Sequence, residues 1–313
     1  MNILIILLIL IICLIIYTII DNNRIHIDRK KVCFKRKKCK DLTLLQVTDL
    51  HDRKFGGRLA KKINKENADV ICFTGDMENN FEKNTFIPFL KTLNKDKLML
   101  YVDGNNGKQA MMIENLELTS YGKRLEKEGI KILRDFFILE NEKICFINSD
   151  VARYITKLLD KDKELHYNER DYNNEHNTSY KEKFIEKLKE YKRKYIIIGL
   201  GHYPFNMKQL ENISNKKYNS LYFDLNLAGH YHGGQFRFPF IGAAFVPSIN
   251  SELECLFPKD REVIHFQRVN NICQYISPGL GATDGDLNIP LIQFRFLNTP
   301  EFSVLKLTSK VDK

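Results

Sequence analysis

The chain has 313 residues, of which 43% are hydrophobic and 28% charged, enough apolar material for a full core and the composition of a folded rather than a disordered protein. A net charge of +10 suggests an anionic partner, substrate phosphate or an acidic lipid surface, although most of the lysines read more simply as a solvated surface; no helix combines a basic stripe with base-reading side chains, so no nucleic acid is expected. The seven cysteines are scattered, and several fall inside apolar strands, which fits a reducing compartment and argues against a disulfide framework.

Residues 2 to 20 carry no charge, and a run of about 20 apolar residues matches the hydrocarbon thickness of a bilayer. The run lacks the basic start, short apolar centre and small-residue cleavage site of a removable signal, so residues 1–21 are expected to form a permanent single-pass anchor. No Lys or Arg precedes it, while Arg24, Arg29, Lys30, Lys31, Lys35, Arg36, Lys37 and Lys38 follow. The positive-inside rule then places the remainder in the cytoplasm, with residues 22–41 as a basic juxtamembrane linker lying against anionic headgroups. Residues 42–313 are expected to form one domain.

From Leu42 strands and helices alternate. The pattern predicts a strand over 42–48, a basic amphipathic helix near 57–67, a strand over 70–74, a helix near 83–93 and a strand over 98–102. A helix over 121–128 ends at Gly129, and strands follow over 130–133 and 144–148. Residues 156–194 are highly charged until Phe184, Ile185, Leu188 and Tyr191 set a helical spacing that feeds a strand over 195–200. Residues 161–180 read as a solvated excursion, with His166 and His176 as surface residues. After the apolar run Leu225-Asn226-Leu227-Ala228 comes the aromatic segment 236–242, which could wall a site, touch lipid or pack beneath its own loop. Strands near 262–266, 273–276 and 303–307 close the domain, an α/β fold.

Five of these strands end in metal-competent residues: Asp49 and His51, Asp76, Asn105, His202, and His230 with His232. In open α/β sheets ligands sit off the carboxyl ends of strands, so the tips are expected to converge on one edge. His230 and His232, two apart in extended chain, face one point. Singly, an Asp after a strand is most often a turn residue or a helix cap. As a set, two carboxylates, four imidazoles and one amide exceed what one catalytic metal takes. They suit two ions about 3.5–4 Å apart bridged by a carboxylate, the arrangement used for in-line phosphoryl displacement. Hard oxygen and imidazole donors favour Mn, Fe or Zn over Ca.

Asp49-x-His51, Gly75-Asp76, Gly104-Asn105, Gly201-His202 and Gly229-His230-x-His232 resemble the ordered motif series of the calcineurin-like metallophosphoesterases. Gly-His-x-His-Gly-Gly-Gln followed by Arg-Phe-Pro-Phe-Ile-Gly is similar to the membrane-anchored bacterial branch, described as acting on phospholipids or UDP-diacylglucosamine, as is the tail 275–296. The resemblance implies a four-layer αββα sandwich of two mixed β-sheets. It also implies two divalent metal ions, one on Asp49, His51 and His232, the other on Asn105, His202 and His230, with Asp76 between them. A hydroxide bridging the metals would then attack a phosphorylated, lipid-linked substrate, with Asp76, His202 and the residue at 106 nearest the chemistry. Asn106 departs from the family's usual His, thought to protonate the leaving oxygen. An amide cannot transfer a proton at pH 7, and lost general acid catalysis costs ~10²–10⁴-fold for a poor leaving group. Two alternatives stay open: a metal-binding scaffold weakened by Asn106, and a tethered nucleotide phosphodiesterase. No protein partner is identifiable from the sequence.

Overall fold

A computed structural model describes the chain except residues 1–2, 36, 80–83, 114, 158–174, 216–220, 247–255, 260–261, 283–293 and 310–313. Most of the charged excursion, including His166, and part of the tail 275–296 therefore lie outside the described residues. Two six-stranded mixed sheets face one another. The first runs in the order β1 (His26–Cys33), β14 (Glu301–Thr308), β2 (Leu42–Val47), β3 (Val70–Thr74), β4 (Leu98–Val102), β5 (Ile130–Ile132). The second runs β12 (His265–Val269), β13 (Ile272–Ile276), β9 (Leu225–Ala228), β8 (Ile196–Leu200), β7 (Ile144–Asn148), β6 (Phe136–Leu139). A two-stranded hairpin, β10 (Arg237–Phe238) with β11 (Gly242–Ala243), stands apart from both.

The period of two in each strand explains the layering. Leu42, Leu44, Val70, Cys72, Leu100 and Val102 pack against Ile144, Phe146, Ile196, Ile198, Leu225 and Leu227 in the space between the sheets. Their neighbours Leu45, Val47, Ile71, Phe73, Met99 and Tyr101 point the other way, into a cluster with helix residues Leu59, Ile63, Phe86, Leu90 and Leu125. Strands apolar on both faces are what a helix-covered parallel sheet requires. The helices are α2 (Arg58–Lys65), α3 (Phe86–Leu90) and α4 (Ser120–Lys127), then α5 (Ser149–Lys157), α6 (Glu175–Lys194) and α7 (Met207–Ser214). The last two carry Phe184, Leu188, Leu210 and Ile213 into the same cluster.

Among the described residues one helix, α1 (Ile3–Asn22), is long and apolar enough to cross a membrane, with a mean hydropathy of 3.6 over 18 residues. Its last turn is not free. Thr299 Oγ1 donates to Asp21 Oδ1 at 2.6 Å, and Arg295 N donates to Asn22 Oδ1 at 2.8 Å while Asn22 Nδ2 returns a bond to the Arg295 carbonyl.

The stretch read as a basic linker differs from that expectation. Residues 26–33 form strand β1, paired in parallel with β14 along its whole length, so the sheet begins before Leu42. Here Asp28 and Val32 point inward and Arg29 and Lys31 outward. A strand with so few apolar residues gives little periodic signal, and charge on an edge strand blocks pairing with other chains. The closing strand expected near 262–266 sits at His265–Val269.

Candidate metal centre

The seven residues expected at the strand tips do meet. Asp49 and His51 follow β2, Asp76 follows β3 and Asn105 follows β4, while His202 follows β8 and His230 and His232 follow β9. Both sheets thus deliver the carboxyl ends of parallel strands to one edge.

Two groups form there. In one, His51 Nε2 and His232 Nε2 face each other at 3.2 Å, with Asp49 Oδ1 at 3.8 and 3.6 Å from them. In the other, His202 Nε2 and His230 Nδ1 lie 3.2 Å apart, with Asn105 Oδ1 at 2.8 and 3.0 Å. Asp76 Oδ2 stands between the groups, 3.5 Å from His51 Nε2 and 3.4 Å from His202 Nε2. Except for Asn105, which is exposed, all these residues are buried.

Ring orientation is set by the outer nitrogens. His202 Nδ1 donates to the Thr74 carbonyl at 3.1 Å and His51 Nδ1 to Asn79 Oδ1, so each turns Nε2 inward. Buried His230 Nε2 and His232 Nδ1 have no hydrogen-bond partner among the described residues.

The charges interlock. Burial alone would lower His202, but the Asp76 carboxylate outweighs it and lifts the imidazole to about 10. His51 is raised against burial by Asp49 and Asp76. Burial, with help from His51 and Arg295, takes His232 down to about 3, and burial with the His202 charge lowers His230. Asp49 and Asp76 sit below the usual carboxylate range because facing imidazoles outweigh their burial. Each facing pair therefore contains one imidazole favoured as the cation and one favoured neutral. A proton stands where a divalent cation would displace it, and the mixed nitrogen and oxygen donors fit such an ion.

The backbone here is strained. Asp49, His51, Asp76, His230 and His232 have φ of 50°, 49°, 54°, 71° and 51°, the left-handed region that non-glycine residues enter at a cost. Glycines precede ligands where chains must touch: a Cβ at Gly104 would fall 2.0 Å from Asp76 Oδ1, and one at Gly229 2.1 Å from Thr48 Oγ1.

Asn106 is turned toward Asp76: its backbone N–H donates to Oδ1 and its side-chain amide to Oδ2, both at 2.8 Å. Nearby Asp103 accepts from Ala110 N at 2.7 Å and Met111 N at 3.1 Å and pins its own loop.

Several residues at the site escape sequence reasoning. Fully buried Arg295 donates to the carbonyls of His232 (3.0 Å), Gly281 (2.7 Å) and Asn298 (2.9 Å). Asn298 Nδ2 reaches the same His232 carbonyl at 2.7 Å. Asp150 Oδ2 accepts from His202 N at 2.6 Å. Asp150 had a legible signal, since it too follows an apolar strand, β7; Arg295 had none beyond its place in the tail. A further group, Asp28, His265 and Glu301, lies where β1 and β14 meet β12. Lys30 Nζ at 2.9 Å from Asp28, and the Tyr275 hydroxyl 2.7 and 3.2 Å from the two carboxylates, already compensate it.

A family profile described as calcineurin-like phosphoesterase matches residues 42–234. Among solved structures, the phosphopantetheinyl hydrolase of Mycobacterium tuberculosis aligns at 11% identity and a TM-score of 0.35, covering 75% of this chain and 88% of its own, too distant a likeness to argue from. No curated protein matches the chain.

Proposed function

Because the chain belongs to the calcineurin-like phosphoesterase family, whose members are hydrolases, we propose that it cleaves a phosphate ester or pyrophosphate on a membrane lipid or glycolipid, with α1 as its anchor. Asp49, His51 and His232 would hold one divalent ion and Asn105, His202 and His230 the second, with Asp76 shared. Bound there, two such ions supply Lewis acidity and a water acidified to near-neutral pKa; Mn, Fe and Zn all suit the donors.

The chain's own residues do the rest. Asn106 holds both oxygens of Asp76 and fixes the shared carboxylate. Exposed Asn105 marks the side from which a phosphoryl group enters. With an amide at 106 no side chain there supplies a proton to the leaving oxygen, which favours pyrophosphate and other stable leaving groups over simple alkoxides.

The observation that carries the lipid reading is the path from α1 to the centre. Asn22 is bonded to the backbone of Arg295, and Arg295 holds the carbonyl of His232. Beside this path rises the β10–β11 hairpin, rooted by Arg237 Nη1 on the Gly233 carbonyl at 2.8 Å and packed edge to face through Phe236 on Phe294 and at a tilt through Phe238 on Phe296. Its tip, Phe240 and Ile241, is exposed, as are Phe245, Leu256 and Phe257 nearby, an apolar patch that suits contact with lipid.

The full chain, loaded with Mn²⁺ in vesicles, should release phosphate from a phosphorylated or pyrophosphate-linked lipid in the same bilayer faster than it cleaves soluble bis(p-nitrophenyl) phosphate. Asp76→Asn should abolish both reactions. Phe240→Ser with Ile241→Ser should slow only the first. Turnover of the soluble ester with the lipids inert would favour a tethered nucleotide phosphodiesterase, and two bound metals without turnover would favour a scaffold.

A further inference from the structure

Where α1 ends, the chain runs through Asn23, Arg24 and Ile25 and enters β1 at His26, and α2 lies alongside. A cavity of about 450 Å³ opens between them, lined by Arg24, His26, Arg58, Lys62 and Thr299 among others. That size is within the range of small-ligand pockets, about 300–1,000 Å³. Among the described residues, Arg24, Arg58 and Lys62 have no carboxylate within ion-pair distance, whereas nearby Arg29 and Lys30 are paired with Glu66 and Asp28. The partners of Arg58 and Lys62 are backbone carbonyls. Arg58 Nε donates to Phe55 O at 3.1 Å and Nη1 to Asn23 O at 3.0 Å, while Lys62 Nζ donates to Ile25 O at 3.2 Å. These bonds hold both cations against the strap formed by residues 23–26, and Arg58 Nη2 has no hydrogen-bond partner among the described residues.

Position names the ligand. A helix of 20 residues is about 30 Å long, the thickness of a bilayer's hydrocarbon core. With α1 spanning, Asn22 stands at the boundary of that core and the next four residues lie at headgroup depth. We propose that this cavity is a binding site for the phosphate of an anionic phospholipid, held by Arg58, Lys62 and Arg24 at the foot of the anchor. The proposal rests on reading α1 as an anchor and is independent of the metal centre. A guanidinium and an ammonium fixed on adjacent turns of one helix supply the fork and the point charge that bind phosphate oxygens.

Native mass spectrometry of the full chain in nonionic detergent tests this, with phosphatidylglycerol, phosphatidylcholine and inorganic phosphate added separately. The wild type should retain phosphatidylglycerol over phosphatidylcholine. Arg58→Gln with Lys62→Gln should lower that retention roughly 10–30-fold, given about fivefold per cation at a membrane surface. Lys61→Gln with Lys65→Gln, exposed on the same helix and outside the cavity, should not. Because Arg58 and Lys62 also brace the strap, Arg24→Gln, a change at an exposed side chain, serves as the second variant and should weaken retention severalfold. Equal retention of the two lipids, an equal loss in the Lys61/Lys65 variant, or phosphate alone binding as well as the lipid would overturn the proposal. Whether the chain enters phosphatidylcholine vesicles at all scores the anchor reading separately.

Discussion

Arg295 shows how a single side chain joins remote parts of this chain. It spans the carbonyls of residues 232, 281 and 298 with one rigid fork, and a lysine offers only a point charge in its place. Arg295→Lys is expected to weaken metal retention about 10–100-fold, as loss of a group that orients a ligand does, measured by metal content after dialysis. Asn106→His should raise turnover of alkyl phosphates more than aryl ones, by up to ~10²-fold; an equal effect on both classes would remove the leaving-group argument. Asp103 carries a pH signature. Burial, against the hydrogen bonds from Ala110 and Met111, lifts its carboxyl from 3.8 to about 7. Between those values the folded state holds a proton that the unfolded state has lost, so this group's contribution to stability falls as pH rises from about 4 to about 7. Asp103→Asn removes that slope, so relative to wild type it should gain stability between about pH 5 and about pH 8 in urea titrations. The residues that meet at the centre were legible as polar ends of apolar strands. The left-handed backbone at Asp49, His51, Asp76, His230 and His232 was not, because sequence carries no torsion signal at a non-glycine residue.

At the scale of elements, β1 is where sequence and structure part. Its eight residues alternate weakly, so periodicity predicts nothing there, yet β14 supplies a full ladder for it. Strands such as β3 and β8, apolar throughout, announced themselves. The short helices α5 and α7 lacked a long periodic run, and β6, apolar throughout, is only four residues long. The boundary this implies can be tested by truncation. Removal of residues 1–22 is expected to leave a folded, soluble domain. Removal of residues 1–34 strips β1 from β14 and should lower the melting temperature and cause aggregation through the bared edge, read by thermal scans and light scattering. Similar behaviour of both fragments would mean that β1 contributes nothing to the sheet.

For the molecule as a whole, two sheets with apolar inner faces make a scaffold whose one busy edge receives five strand ends, a convergence expected from the rule that α/β sheets gather ligands at the carboxyl ends of their strands. What that rule could not give is how the apolar N-terminal helix meets the body, because that rests on Asp21 and Asn22 finding Thr299 and Arg295 more than 270 residues away. The junction has a mechanical consequence. With the helix in a bilayer, the body is a head on a stiff stalk rather than a float on a leash. It cannot swing out to sample the solution, and its reach is a narrow ring of leaflet swept by spinning about the stalk. Molecules then arrive by sliding sideways through the sheet of lipid, so encounters are set by surface density instead of bulk concentration.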